Sequence, residues 1–335
     1  MDTQAFLREI THSRHHREQA VHTEILPPRP PRHADPATPI AGPVADALRQ
    51  QGIERLYTHQ AQALDAVRRG ENVVVVTGTA SGKTLCYNIP VLESLIENPA
   101  ARALYLFPTK ALAQDQLGGF RRLAGAVPGL VAPAGCYDGD TPTTERKTIR
   151  DKGRVVLTNP DMLHSGILPN HSRWAEYLQN LRYVVIDEVH SYRGLFGANV
   201  ANVLRRLRRI CRHYGADPQF IFCSATIGNP DELCENLSDL PVTPVVDDGS
   251  PRGEKTFVLW NPPHLDDAKV ERRSPSTEAH YLMTDLVRDS CQTICFVRAR
   301  VTAELLYRMV QDRLRKDGSR LANAVRAYRG GYIAE

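Results

Sequence analysis

Residues 73–85 read Val-Val-Val-Val-Thr-Gly-Thr-Ala-Ser-Gly-Lys-Thr-Leu. The valines predict a strand that is buried on both faces, because a strand covered on one side alternates apolar and polar residues. A turn of small residues follows, and Gly-Lys-Thr then stands where we expect a helix to begin. This order of strand, small-residue turn, Gly-Lys-Thr and helix is typical of the phosphate-binding loop, or P-loop.

The residue types of this loop suit the binding of a nucleotide with Mg²⁺. Small side chains allow backbone N–H groups to surround a phosphate, and the helix N-terminus adds partial positive charge. Lys83 would reach the β- and γ-phosphates, and the Thr84 hydroxyl would bind Mg²⁺. Thr77 replaces the first glycine of the usual pattern, and the alternative interpretation is a turn without a ligand. The nucleotide-binding residues predicted from the loop are Thr79, Ala80, Ser81, Gly82, Lys83, Thr84 and Leu85.

The composition of the 335 residues is that of an ordinary globular protein, with 42% hydrophobic and 24% charged residues. The net charge of +4 is compatible with a polyanionic partner but does not prove one. The cysteines form no Cys-x-x-Cys pair and several lie in apolar stretches, so we expect reduced, buried thiols rather than a zinc site. No apolar run approaches the length of a membrane span, and we predict a cytoplasmic protein.

Further apolar segments along the chain each end in polar residues. They are residues 103–107, 155–157, 183–186 and 219–223. In an open sheet of parallel strands the carboxyl ends meet at one edge, and the ligand binds there. The sequence therefore predicts an α/β fold in which a parallel sheet carries the P-loop.

We expect three regions along the chain. Residues 1–50 are predicted to form an N-terminal extension, residues 51–247 the nucleotide-binding domain, and residues 248–335 a linker with a second, incomplete α/β domain. The elements predicted for the second domain are strands at 256–260, 293–297 and 324–327 and a helix over 301–314. These strands are fewer than such a sheet needs, so we expect the chain to stop within that domain.

The motif Asp187-Glu188-Val189-His190 is the second strong signal. The apolar residues before it form a strand that would deliver Asp187 beside the P-loop, where its carboxylate can hold Mg²⁺ through water. Glu188 would then orient and deprotonate an attacking water. Such a short motif is common by chance, but its place after a buried strand and downstream of a P-loop favours a catalytic site.

Several phrases in order resemble superfamily 2 helicases and translocases. They are Gln60, the P-loop, Pro-Thr-Lys at 108–110, Thr-Asn-Pro at 158–160, Asp-Glu-Val-His at 187–190 and Ser-Ala-Thr at 224–226. Residues 190–200, 248–253 and 328–332 further resemble the bacterial mitomycin-repair-factor helicases and their fungal relatives. The resemblance runs from about Val21 to the last residue.

This resemblance implies a RecA-like domain followed by a partial second RecA-like domain. The activity implied is that of an enzyme, an ATP-dependent 3′→5′ DNA helicase of DNA repair, with ATP and Mg²⁺ as cofactors. Its partner would be single-stranded or tailed duplex DNA, and other repair proteins are further candidates. It would act at the nucleoid in a bacterial cytoplasm.

The resemblance also implies roles for single residues. Gln60 and Tyr57 would contact the adenine, with helix capping by Gln60 as the alternative. Ser224 and Thr226 would couple the γ-phosphate state to domain movement through the catalytic His190, or would cap the next helix instead. The nucleic-acid contacts implied are Pro108, Thr109, Lys110, Thr158, Asn159, Phe296, Arg298, Tyr328 and Arg329. Hydroxyl, lysine and backbone N–H groups suit phosphates and carry no base information.

The chain departs from the resembled family in two respects. It has neither a Gln-x-x-Gly-Arg-x-Gly-Arg stretch, which supplies the arginine finger there, nor a C-terminal four-cysteine region. The arginine finger is worth roughly 10³–10⁵ in rate in related NTPases. We therefore expect a fragment of a longer enzyme, which by itself binds Mg·ATP without closing two lobes around it.

Two alternatives stand beside the DNA helicase. The first is a non-catalytic module that binds ATP and nucleic acid, which the missing arginine stretch favours for this polypeptide. The second is an RNA-directed helicase, because the motifs of the first domain are widely shared. A measurement of ATP turnover distinguishes the DNA helicase from the first alternative. Competition between DNA and RNA for binding distinguishes it from the second.

Overall fold

A computed structural model of the chain describes residues 3–12, 19–265 and 271–328. The Cα positions separate into two compact units. We call residues 29–252 the central unit, and residues 1–28 together with 253–335 the terminal unit.

The two units together contain the following strands and helices, with short 3₁₀ and π turns between some of them. The strands are β1 (Ala20–Leu26), β2 (Asn72–Val76), β3 (Arg102–Leu106), β4 (Ala134–Cys136), β5 (Val155–Thr158), β6 (Leu181–Ile186), β7 (Gln219–Ser224), β8 (Val242–Val245) and β9 (Lys255–Trp260). The helices are α1 (Thr3–His12), α2 (Gly42–Gln50), α3 (Thr58–Arg68), α4 (Thr84–Glu97), α5 (Lys110–Gly125), α6 (Thr143–Lys152), α7 (Pro160–Met162), α8 (Ala175–Gln179), α9 (Gly194–His213), α10 (Pro230–Ser238), α11 (Pro275–Arg288) and α12 (Arg300–Lys316). None of these helices combines the length and the apolar character that crossing a membrane requires.

The central unit is built on one sheet of seven parallel strands in the order β4-β5-β3-β6-β7-β2-β8. This confirms the predicted α/β fold with a parallel sheet. Because the strands all run the same way, their carboxyl ends lie along one edge, where polar groups can meet without being buried in the core.

The valine strand β2 is buried on both faces, as its composition predicts. Val73 and Val75 belong to the hydrophobic cluster that includes side chains of α3, α4 and α5. Val74 and Val76 belong to the cluster on the other face, with side chains of α9 and α10. Full burial of such a side chain contributes about 1.5–3 kcal/mol. The packing of β2 therefore fixes the position of the loop that follows it.

Residues 29–50 differ from their prediction as part of an extension, because they pack into the central unit. Val44, Ala47 and Leu48 of α2 are buried in the same cluster as α3 and α4. An amphipathic helix is stable when its apolar stripe is covered, and the sheet helices provide that cover. The contact boundary of the unit accordingly lies at Arg29 and not at residue 51.

The described part of the terminal unit combines a two-stranded sheet with two packed helices. β1 pairs antiparallel with β9. Leu306, Val310 and Leu314 of α12 form a small apolar cluster against which side chains of α11 pack. The indole Nε1 of Trp260 donates to Glu278 Oε2 at 2.8 Å, which ties β9 to α11.

Two of the strands predicted for the second domain are not strands in the described residues. Residues 293–297 join no ladder; Cys295 and Val297 pack on the helix cluster, whereas Ile294 and Phe296 are exposed. Residues 324–327 begin in the 3₁₀ turn Arg320–Ala324 and join no ladder either. These short segments were predicted as strands, but a strand also needs a hydrogen-bonded neighbour, which the described residues do not offer to them. The predicted helix is present as α12.

All seven cysteines lie in the described residues as thiols, five of them buried and two half-buried. Burial raises the pKa of Cys86, Cys136 and Cys211 to about 12, so these thiols stay protonated and unreactive.

We expect a thiol-specific disulfide reagent to modify Cys291 and Cys295 in the native chain within minutes, and the other cysteines only in denaturant. Fast modification of a third thiol in the native chain would contradict this packing.

Candidate nucleotide-binding and nucleic-acid-binding site

Three neighbouring strands bring the predicted catalytic motifs together. β6, β7 and β2 are adjacent in the sheet, so their carboxyl ends lie side by side. Asp187 follows β6, Ser224 ends β7, and the P-loop follows β2. Segments far apart in sequence therefore meet at one part of the sheet edge.

A hydroxyl bridge closes the base of the P-loop. The Oγ1 of Thr77 lies 2.6 Å from the Oγ of Ser81, and that Oγ donates to the Gly78 carbonyl at 2.8 Å. Both hydroxyl residues are buried. The threonine that replaces the usual glycine thus holds the two ends of the loop together. Lys83 Nζ donates to the carbonyls of Thr77 and Gly78 at 3.0 and 2.7 Å.

The tip of the loop is exposed at Thr79 and Ala80. Ala80 has a φ of +58°, in the left-handed region that L-residues seldom adopt, so the backbone turns sharply here. Leu85, in the first turn of α4, packs against the apolar cluster below. The helix N-terminus and the exposed tip lie together, as phosphate binding requires.

Gln60 joins the start of α3 to the P-loop. Its Oε1 accepts from the Tyr57 N–H at 2.9 Å, and its Nε2 donates to the Gly82 carbonyl at 3.0 Å. Gly82 has a φ of +78°, and a Cβ there would stand 2.6 Å from that Nε2. The Tyr57 ring stacks on His33, with centroids 5.2 Å apart. The capping interaction weighed from the sequence is therefore present, and adenine contact by Gln60 and Tyr57 stays a prediction.

The residues predicted to hold Mg²⁺ are connected by hydrogen bonds. Thr84 Oγ1 donates to Gln116 Oε1 at 3.3 Å. The Tyr87 hydroxyl lies 3.3 Å from the same oxygen and 3.2 Å from Asp187 Oδ2. Hydroxyl and carboxylate oxygens suit Mg²⁺, which usually completes its shell with water and phosphate oxygens. No cluster of three or more His, Cys, Asp or Glu side chains that could hold a metal lies in the described ranges.

Asp187 and Glu188 lie where β6 ends beside β3. Burial raises the pKa of the Asp187 carboxyl, the backbone N–H of Glu188 opposes that effect at 2.8 Å, and the Glu188 charge adds to it. Glu188 has a φ of +51°, a conformation that costs a non-glycine residue about 1–2 kcal/mol. The strain turns the chain out of the sheet immediately after Asp187.

His190 faces three groups through one ring nitrogen. Its Nδ1 lies 3.3 Å from Glu188 Oε2, 3.5 Å from Ser224 Oγ and 3.4 Å from the backbone N of Ala225. The amide of Ala225 can only donate, whereas the carboxylate can only accept. The tautomer of His190 therefore decides whether this nitrogen binds Glu188 or the end of β7. The side chain of Thr226 is exposed.

The adjacent strands β3 and β5 carry most of the predicted nucleic-acid contacts of the central unit. Pro108, Thr109 and Lys110 follow β3, and Lys110 Nζ pairs with Asp140 Oδ2 at 2.6 Å. Thr109 Oγ1 caps α5, and the side-chain oxygen of Asn159 caps α7. These predicted contacts therefore lie at neighbouring strand ends, on the half of the edge next to the P-loop half.

Thr158 does not fit the contact predicted for it. Its side chain is buried, and its hydroxyl donates to the Tyr137 carbonyl at 2.6 Å. The hydroxyl proton is used inside the sheet between β4 and β5, so Thr158 positions the strand end rather than a phosphate.

The remaining predicted contacts belong to the terminal unit. Phe296 and Tyr328 are each 86% exposed, and Arg298 is exposed as well. All three line one cavity of about 340 Å³. Arg329 lies outside the described residues.

Three site residues were missed from the sequence. Tyr87 and Gln116 connect Thr84 with Asp187, and Asp248 accepts a hydrogen bond from Gly78 in the P-loop. Two features of the sequence could have identified Tyr87 and Gln116. They are the polar side chains in the otherwise apolar α4 and those in the phrase Ala-Gln-Asp-Gln of α5. The sequence around Asp248 did not indicate a contact with the P-loop, apart from the resemblance of residues 248–253 to the mitomycin-repair-factor helicases.

Comparison with known proteins gives a consistent picture. Residues 57–233 match the model of the DEAD/DEAH box helicase family. The uncharacterized ATP-dependent helicase YprA of Bacillus subtilis is 46% identical over 316 residues, which cover 94% of this chain and 42% of YprA. The ATP-dependent helicase HRQ1 of Saccharomyces cerevisiae is 42% identical over 291 residues, which cover 85% of this chain and 27% of HRQ1.

Solved structures agree with these relatives. The crystal structure of the DUF1998 helicase MrfA bound to DNA and AMPPNP matches with a TM-score of 0.92 and 44% identity. The match covers 99% of this chain and 45% of that one. The chain thus spans less than half the length of each of these relatives.

The hydroxyl bridge leads to a prediction about the P-loop. Thr77→Val keeps the shape of the side chain and removes its hydroxyl, so we expect the free energy of unfolding in urea to fall by about 1 kcal/mol. The affinity for a fluorescent ATP analogue should fall as well, because the loop is less well ordered. Thr77→Ser keeps the hydroxyl and serves as the matched control. Equal behaviour of Thr77→Val and the parent chain would show that the bridge is unimportant.

Proposed function

The chain belongs to the DEAD/DEAH box helicase family, and from this we propose that it forms the ATP-hydrolysing part of a superfamily 2 DNA helicase. The observation that carries the proposal is the convergence of the P-loop, Asp187-Glu188 and Ser224 on three adjacent strand ends. A second group of phosphate-binding residue types occupies the neighbouring strand ends. One sheet edge could therefore hold ATP beside a nucleic-acid strand.

Nucleotide binding would use groups that now bond within the loop. Lys83 donates to two carbonyls of the loop, and a triphosphate offers charged acceptors that form stronger bonds. We therefore expect its ammonium to transfer to the β- and γ-phosphates. Thr84 and Asp187 would hold Mg²⁺, which supplies charge neutralisation of the phosphates when bound.

Hydrolysis would depend on Glu188. Its carboxylate would orient a water molecule and accept its proton as the γ-phosphate is attacked. The Nδ1 of His190 can bind either that carboxylate or the end of β7, at distances of 3.3–3.5 Å. We propose that a change of this partner couples the state of the base to Ser224 and Thr226.

Nucleic-acid binding would use the backbone of one strand. Pro108, Thr109, Lys110 and Asn159 place backbone, hydroxyl, ammonium and amide groups at the ends of β3 and β5, and such groups bind phosphates without reading bases. In the terminal unit, the exposed rings of Phe296 and Tyr328 suit stacking with bases. We propose that successive cycles of ATP hydrolysis move the protein along this strand.

DNA is the proposed substrate because the relative MrfA, at 44% identity, was crystallised with DNA and AMPPNP. Movement in the 3′→5′ direction, a role in DNA repair, an association with the nucleoid in the cytoplasm and contacts with other repair proteins follow from the resemblance and belong to the same proposal. The second candidate function is a module that binds ATP and nucleic acid without turnover. The absence of the arginine-finger stretch from this sequence favours it for the isolated chain.

Steady-state ATP hydrolysis with and without single-stranded DNA tests the proposal. DNA-stimulated turnover that is lost in Lys83→Ala and falls by about 10²–10⁴-fold in Glu188→Gln, where the general base is removed, would support the helicase proposal. Glu188→Gln should still bind a fluorescent ATP analogue. Tight binding of Mg·ATP without turnover would support the second candidate, and a chain that binds no nucleotide would contradict both.

The salt dependence of DNA binding tests the proposed phosphate contact. Lys110→Ala should reduce the slope of log K against log salt concentration by about 0.7, the value for one phosphate contact on a single strand. Lys152, which ends α6 directly before β5, lies at the opposite edge of the sheet, so Lys152→Ala is the matched control. Equal slopes for both variants would remove Lys110 from the interface. Preference for RNA in a parallel competition would favour the RNA-directed alternative.

A further inference from the structure

The segment Asp247–Arg252, which its composition predicts as a linker, is built into the central unit. Gly249 and Ser250 are buried, and the Gly249 carbonyl accepts from the Arg32 N–H at 2.8 Å. A Cβ on Gly249 would stand 2.5 Å from the Arg32 carbonyl and 2.4 Å from Thr58 Oγ1. Backbone packs directly on backbone here, so the segment has one well-defined position.

Asp248 connects this segment to the P-loop. Its Oδ2 accepts from the Gly78 N–H at 3.4 Å and pairs with Arg29 at 2.8 Å. Its Oδ1 accepts from the backbone N and the Oγ of Ser250 at 2.9 and 2.6 Å. Burial raises the pKa of this carboxyl, but the bonds from Ser250 and Arg29 outweigh burial and leave its pKa below the usual value. Asp248 is therefore a carboxylate at neutral pH, and Arg29 offsets its charge beside the phosphate-binding loop.

His59 makes a second connection between the same two segments. The Gly249 N–H lies 3.3 Å from His59 Nδ1, and His59 Nε2 lies 3.1 Å from the Ser81 carbonyl. An amide can only donate, so Nδ1 accepts and the proton of the neutral ring is on Nε2, where it donates to Ser81. Burial lowers the pKa of His59, which agrees with a neutral ring.

We propose that Asp248 and His59 are positioning residues of the P-loop, through which nucleotide binding and the conformation of residues 247–252 depend on each other. The two contacts lie on Gly78 and Ser81, on either side of the exposed tip at Thr79 and Ala80. A change of the loop on binding phosphate therefore acts on both. By thermodynamic reciprocity, a change that moves Asp248 or the Gly249 N–H away from these contacts also alters the affinity for nucleotide.

This coupling rests on the proposed nucleotide binding. It connects a nucleotide bound at the P-loop with residues outside the nucleotide site. Residues 247–252 are the last of the central unit, and the chain enters the terminal unit at Gly253. Nucleotide binding at the P-loop therefore affects the conformation of the residues at which the chain leaves the central unit.

The test compares two neighbouring aspartates in the whole chain. Asp248→Ala removes the contact with Gly78, and we expect its affinity for a fluorescent ATP analogue with Mg²⁺ to fall about tenfold, within the usual range of coupling between sites. Asp247→Ala is the matched control, because Asp247 pairs with Arg32 and has no bond to the P-loop among the described contacts. Its affinity should stay within about twofold of the parent. Asp248→Asn keeps the shape and one acceptor oxygen and should give an intermediate loss, which covers the case that Asp248→Ala does not fold.

Hydrogen exchange separates coupling from simple stabilisation. In the parent chain, the ATP analogue should slow exchange of the amides in residues 247–252, and this slowing should be smaller in Asp248→Asn and lost in Asp248→Ala. A lower melting temperature with unchanged affinity and no nucleotide-dependent protection would overturn the inference and leave Asp248 a structural residue. Failure of the parent chain to bind the analogue, or equal binding by Lys83→Ala, would instead overturn the proposed function.

Discussion

The packing of β2 on both of its faces is the constraint on which the rest of the structure depends. Val73 and Val75 are held by one helix layer and Val74 and Val76 by the other, so this strand cannot slide or rotate without opening both cores. A shift by one residue would exchange the two faces. The P-loop follows directly, and the sheet therefore fixes the point at which the loop begins.

The same sheet accounts for what the sequence could predict. Buried parallel strands are apolar along their whole length and end in polar residues, so the strands before the P-loop and Asp187 leave a local signal. The role of residues 247–252 was missed because contacts with residues 29–32 and 58–59, distant in sequence, fix them. The burial of Thr158 and the lack of a ladder at 293–297 likewise depend on neighbours that no local pattern reveals.

The two halves of the sheet edge are joined by a single helix. α5 begins beside Lys110, at the strand end predicted to bind nucleic acid, and Gln116 of the same helix bonds to Thr84 at the nucleotide half. These positions are six residues apart, which is about 9 Å along an α-helix. The first turns of α5 therefore bring the strand end predicted to bind nucleic acid close to the residues predicted to hold Mg²⁺.

The pairing of β1 with β9 has a consequence for folding during synthesis on the ribosome. β1 ends at Leu26 and its partner begins at Lys255, so the whole central unit is synthesised between them. At about 5–20 residues per second, the ribosome makes β9 roughly 10–50 s after β1. During that interval β1 has no partner strand, and an unpaired strand is a template for wrong partners. The pairing of β1 therefore waits until the whole central unit has been synthesised.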